Sequence, residues 1–172
     1  MRTQKVKILP LLLSATLSFF SVTNTFAEEE IGQNKQNSIV EHCDSIKDSL
    51  KATQRSDSHA RTYLGSIYET ISSHFITPLN VRLVKTNKTN SELSQIQTTF
   101  VDARSNFNSS FISYSKSLEE LISIDCKNSP INFYQKLQAV RKERLTVDER
   151  AKKLEQLISE HKQKVTELEQ TL

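Results

Sequence analysis

The 172-residue chain has two glycines, three prolines, no tryptophan and two cysteines. So little glycine and proline excludes folds that need many tight turns or glycine-lined phosphate cradles: β-sandwiches, doubly wound dinucleotide-binding sheets and P-loop enzymes. The chain has no H-E-x-x-H, no G-x-S-x-G and no C-x-x-C, so the common local signatures of zinc hydrolases, serine hydrolases and thiolate metal sites are missing. Outside the N-terminus no apolar run approaches the roughly 20 residues of a membrane-spanning helix. The chain does have 25 % charged residues and apolar residues recurring at steps of three and four. The expected fold class is therefore all-α, and the length suits one domain.

Residues 1–27 read as a signal peptide cleaved after Ala27. Arg2, Lys5 and Lys7 form a basic start, and Ile8 to Phe20 form an apolar stretch of 13 residues. Thr25 and Ala27 then occupy the small-residue positions of a cleavage site ahead of Glu28-Glu29-Glu30. The stretch is short for a membrane anchor, so contact with the membrane is expected only through this leader. Localisation is accordingly expected to be periplasmic or extracellular.

The leader also carries the whole charge imbalance. The full chain has 23 basic and 20 acidic residues, and three of the basic ones lie in the first 27. The remainder is neutral, without the excess of Lys and Arg that displaces counterions from nucleic acid. Nucleic acid is not an expected partner.

Cys43 and Cys126 both lie in the part expected to be exported, so they are expected to form a disulfide. In the chain-entropy account, closing a loop of that length is worth about 4–5 kcal/mol. The alternatives are intermolecular pairing or free thiols, and a zinc site, since the pairing would gather Glu41, His42, Asp44 and Asp125 around the sulfurs. The zinc site lacks the ligand spacing that such sites use, and no metal or cofactor is expected.

Residues 28–37 are polar and read as a disordered lead-in to a single helical domain over 38–172. A first helix over about 38–85 follows from the seam Ile39, Cys43, Ile46, Leu50, Thr53, Asp57, Ala60, Leu64, Ile67, Ile71 and Phe75. Pro78 falls inside it and predicts a kink. The midpoint of a hairpin clamped at 43 and 126 falls beside the polar stretch 85–90, which places the turn there and not at the proline. A second helix over 91–124 starts with Ser91 as its cap and has the seam Leu93, Ile96, Phe100, Ala103, Phe107, Phe111, Tyr114, Leu118 and Leu121. Its step of four from Phe107 to Phe111 interrupts the heptad. Ser129 followed by Pro130 starts a third helix over 130–171. Its seam runs through Tyr134, Leu137, Val140, Arg144, Val147, Ala151, Leu154, Ile158, His161, Val165, Leu168 and Leu172. The architecture these segments predict is an elongated, coiled-coil-like antiparallel three-helix bundle whose first hairpin is clamped by the disulfide.

Asp57 occupies a seam position, where an unpaired charge is costly. The register set by Cys43 and Cys126 brings it opposite Phe111 and Tyr114 and level with Arg141 and Arg144. A structural polar layer of Asp57, Tyr114 and Arg144 or Arg141 is expected, fixing helix register as such residues do elsewhere. None of the four scattered histidines forms an i,i+4 pair with another, and no serine has a base at a fixed spacing beside it. No catalytic residue, small-molecule substrate or enzymatic activity is therefore expected. The expected function is that of an exported helical scaffold or protein-binding module, with the third helix able to pair in trans as a homo-oligomer. A holdase-like chaperone is the alternative.

Overall fold

The computed structural model describes residues 31–170; the leader expected at 1–27 lies outside them. Helix formation starts upstream of the expected boundary. Helix α1 spans Gln33–Glu41, so the disordered lead-in expected over 28–37 is helical from 33 onward. The stretch is polar, but Ile31 and Ile39 are both buried beside the disulfide. Lys35 Nζ donates to Tyr134 Oη at 2.9 Å, and Gln36 Nε2 donates to the Ile31 carbonyl. Two apolar anchors, Ile31 just ahead of the helix and Ile39 within it, suffice to dock a short helix that composition alone reads as unstructured.

Helix α2, Cys43–Thr70, follows after a one-residue irregularity at His42 (φ −103°, ψ 16°). The hydrogen bonds His42 N to Ser38 O and Ile46 N to His42 O continue the ladder on either side. At its far end α2 passes into a π-helical segment, Ile71–Ile76, and then α3, Thr77–Lys85. The segment answers Pro78. Proline offers no N–H, and its ring crowds the carbonyl four residues back. Widening the preceding turns to an i→i+5 pattern, as in Thr77 N to Ser72 O, carries the helical backbone through. The wider turns also rotate the seam by one residue. Ile76 is fully buried, whereas Phe75, expected on the seam, is 62 % exposed. Within and after the widened turns Ser72, Ile76 and Asn80 are buried, at steps of four, while Ile71 still packs against the core.

The turn after α3 is a Schellman motif. Lys88 N bonds Leu83 O at 2.9 Å and Asn87 N bonds Val84 O at 3.1 Å, with Asn87 at φ 56°. Asparagine tolerates that left-handed conformation, and a β-branched residue does not. Asn87→Val is therefore expected to lower stability by about 1–2 kcal/mol, with Asn87→Gly within about 0.5 kcal/mol of the parent. Urea unfolding of both variants checks this, and a neutral valine would contradict it.

Helix α4, Ser91–Ser123, is capped by Asn90, whose Oδ1 accepts from Leu93 N at 3.0 Å. The cap thus lies one residue before the expected Ser91. Helix α5, Pro130–Glu169, starts after a turn built on Asp125. Its carboxylate accepts from Lys127 N and Asn128 N, and its carbonyl from Ser129 N. The described residues contain no strand.

Helices α4 and α5 pack along most of their length, antiparallel, as Lys136–Glu120, Glu143–Ser117 and Lys164–Glu92 run in opposite senses along the two helices. On the other side of α4, Cys43–Cys126, Asp57–Tyr114, Glu69–Arg104 and Asn80–Gln97 are likewise antiparallel. Two apolar clusters form. One surrounds the disulfide, with Phe111, Tyr114, Leu118, Leu121, Phe133 and Val140. The other joins Tyr68, Ile76, Phe100, Phe107, Leu154 and Leu157, with Tyr68 edge-on to both phenylalanines. Phe133 and Leu157 lie outside the seam expected for the third helix, yet are among its most deeply buried residues.

Candidate functional site

The boundary between the two clusters falls between Phe107 and Phe111, the step of four that interrupts the heptad of α4. At that level α2 presents Asp57 and then Ala60 at successive seam positions. One is charged and the other small, and Ala60 is exposed. A side chain too short to reach across leaves an opening. A cleft of about 530 Å³ lies there between α2, α4 and α5, floored by Leu64, Phe107, Phe111, Val147 and Ala151. Leu145, on its rim, is 63 % exposed.

One end of the cleft is polar. Arg144 donates from Nε and Nη2 to the two Asp57 carboxylate oxygens at 2.8 and 2.9 Å, and Tyr114 Oη donates to Oδ2 at 2.6 Å. Burial alone would push the Asp57 carboxyl up. The hydrogen bonds from Arg144 and Tyr114, with the guanidinium charge, outweigh that and hold it below the ordinary aspartate value. The Tyr114 phenol is driven far above its ordinary value, by burial first and then by the adjacent carboxylate. The same carboxylate raises Arg144. Both shifts favour an ionised Asp57 beside a neutral Tyr114.

The structure thus brings Asp57, Tyr114 and Arg144 together. Arg141 lines the same cleft without joining the hydrogen-bonded trio. Arg61 stacks over the Phe111 ring with its guanidinium carbon 5.3 Å from the centroid. Neither Arg61 nor Arg141 has an ion-pair partner among the described residues. The seam reasoning singled out neither Arg61 nor the cleft. A seam count treats each position as filled, and only the gap between facing side chains reveals an opening.

The disulfide joins Cys43 and Cys126, with Cα atoms 5.7 Å apart. Their sulfurs are therefore committed, and the thiolate zinc alternative falls with them. Among the described residues no group of three or more His, Cys, Asp and Glu side chains is placed to hold a metal.

A second polar cluster, unforeseen from the sequence, closes the far end of α3 and α4. Buried Asn80 donates from Nδ2 to Leu93 O and Gln97 Oε1, at 3.1 and 2.7 Å. Gln97 in turn donates to Thr77 Oγ1. His161 is half-buried, with its Nε2 enclosed and unpartnered, and burial lowers its pKa. His74 is exposed. The neutral His161 ring is the favoured form in the folded state, so its contribution to stability is present above the ordinary histidine range and is lost as pH falls through the lowered value.

No helix among the described residues is long and apolar enough to cross a membrane. Comparison of the chain with known protein-family profiles, with curated proteins and with solved structures finds no match.

Proposed function

We propose that this chain is an exported, non-enzymatic helical interaction module. In this reading it is an elongated antiparallel three-helix bundle, with residues 33–85, α4 and α5 as its three arms, that presents its long faces to a protein partner or to the cell envelope. The observation that carries the reading is the Cys43–Cys126 disulfide, because such bonds persist mainly in oxidising compartments outside the cytosol. The opposed running of the paired residues on both sides of α4 supports the bundle. At 1.5 Å per residue the 40 residues of α5 make an arm of about 60 Å, a long rigid surface for helix or surface recognition.

The role given to Asp57, Tyr114 and Arg144 is a polar layer that fixes the register of the three arms. Both Asp57 carboxylate oxygens and the Tyr114 hydroxyl are engaged within the trio, and no nucleophile with an activating base stands beside it, which supports a structural over a catalytic role. The absence of a nucleic-acid partner stands on the charge balance of the sequence, and pairing of α5 in trans is the alternative to its packing within one chain.

A holdase-like chaperone is the second reading. The open cleft favours it, as do the exposed rings of Tyr63 and Phe75, since such a protein needs apolar surface open to clients.

Photo-crosslinking in the source cells, from a reactive amino acid placed at Tyr63 or at Phe75, separates the two. The interaction module gives one or two discrete adducts in the extracytoplasmic fraction, with Cys43 and Cys126 protected from thiol reagents. A broad ladder of adducts that grows under unfolding stress would favour the chaperone. A cytosolic protein with both thiols reactive would overturn export.

A further inference from the structure

We infer that the cleft between α2, α4 and α5 binds a free single-chain carboxylate amphiphile of medium length, its head among the arginines and its tail over Phe107. The cleft is graded from one end to the other. Asp57, Tyr114, Arg144 and Arg141 form one end and Leu64, Phe107 and Ala151 the other, with Arg61 and Asp148 between them along α2 and α5. Tyr114 and Phe107 are seven residues apart on α4, about 10 Å along its axis. Two turns of helix separate a charged end from an apolar floor, which is the scale of a short acyl chain.

The lining is net positive, with Arg61, Arg141 and Arg144 against Asp57 and Asp148, and Asp148 is paired with Lys152 from outside the cleft. Asp57 cancels Arg144, and Asp148 lies 2.6 Å from Lys152. Arg61 and Arg141 are left over, and Arg144 keeps Nη1 beyond the two nitrogens it uses on Asp57. Guanidinium groups suit a carboxylate because their fork matches its two oxygens. A cationic head would meet Asp57, whose oxygens are already filled, and Asp148, which Lys152 already pairs. The volume of about 530 Å³ lies in the ordinary range for small-ligand clefts. The exposed Leu145 at the rim is apolar surface that such a tail would cover. A partner helix fits less well, because it would need an apolar stripe over several turns and this floor extends for two.

Calorimetric titration of the oxidised protein tests the assignment, with decanoate as the probe and hexanoate, decanol and decyltrimethylammonium as comparators. Decanoate is expected to bind at one site, and affinity to rise roughly two- to fourfold per methylene from hexanoate upward. Decanol is expected to bind at least tenfold more weakly, and decyltrimethylammonium not measurably. Ala60→Phe, which fills the cleft from an exposed position, is expected to abolish binding. The double variant Arg61→Glu, Arg141→Glu is expected to weaken it at least tenfold, with thermal unfolding of both variants recorded alongside.

Failure of decanoate to bind would overturn the assignment, as would equal binding of the cationic amphiphile or of decanol. So would binding unaltered by both variants, which would place it elsewhere on the surface. Binding of anionic phospholipid vesicles without binding of free decanoate would also overturn it, in favour of a lipid-surface contact.

Discussion

Replacing Cys43 and Cys126 by alanine, or reducing the bond, is expected to lower the unfolding free energy by about 3–5 kcal/mol. The bond closes a loop over a sequence separation of 83 residues, so its loss releases a large share of the unfolded chain's conformational freedom. Both sulfurs are buried in the cluster with Leu118, Leu121 and Phe133, and truncation there leaves a small void as well. The sequence between Cys43 and Lys85 makes this end especially dependent on the clamp. The face of α2 carries Thr53, Asp57 and Ala60 where leucines would otherwise stand, and its packing on α4 is far less extensive than that of α5. Helix content is expected to persist at low temperature, because α4 and α5 remain packed. In urea the midpoint should fall, and the slope should steepen as the uncrosslinked unfolded chain exposes more surface. A change below about 1 kcal/mol would mean that apolar packing, without the clamp, already specifies how α2 docks.

Asp57→Ala carries the next largest expected effect, a loss of about 2–3 kcal/mol. It removes the acceptor of three hydrogen bonds and strands the buried Tyr114 hydroxyl beside an uncompensated guanidinium. Arg144→Met should cost less, because the Arg144 side chain is 58 % exposed while that of Asp57 is 15 % exposed, and solvent screens the exposed partner. In a double-mutant cycle the pair is expected to couple by about 1 kcal/mol. The pH dependence has a definite sign. Folding lowers the Asp57 pKa, so its stabilisation is complete above the ordinary carboxylate range and is lost as pH falls through the lowered value. Acid unfolding of Asp57→Asn should therefore lack part of the steep branch below about pH 4 that the parent shows. Identical acid branches would show that Asp57 is not the group coupling stability to pH in that range.

Much of the helical layout is legible in the residues, and the exceptions have physical causes. The α4 seam is the clearest case. Leu93, Phe100, Phe107, Phe111, Tyr114, Leu118 and Leu121 are all buried, because large apolar side chains at steps of three and four leave a helix one face to bury. The expected seam holds through Ile71, which packs on the second cluster, and shifts by one residue only at Phe75, since periodicity assumes a constant turn and Pro78 forces a wider one upstream. Helix α1 was missed because two isoleucines among polar neighbours carry a weak compositional signal, although their burial decides the outcome.

In the candidate site, the meeting of Asp57 with Tyr114 and Arg144 follows from the register of the two cysteines. The cleft does not follow, because it is a property of three facing surfaces and no single helix encodes it. The Asn80–Gln97–Thr77 cluster escaped for a similar reason. Polar residues near a helix end read as solvated until a neighbouring helix covers them.

The central structural claim is that α5 completes the fold within one chain, antiparallel to α4, and leaves the outer faces and the cleft free for partners. Light-scattering mass of the oxidised protein after size exclusion, across a wide range of concentrations, tests this most directly. The account predicts the mass of a single chain throughout. A dimer or trimer that dissociates on dilution would contradict it, because α5 would then be paired in trans and its packing on α4 would belong to an assembly.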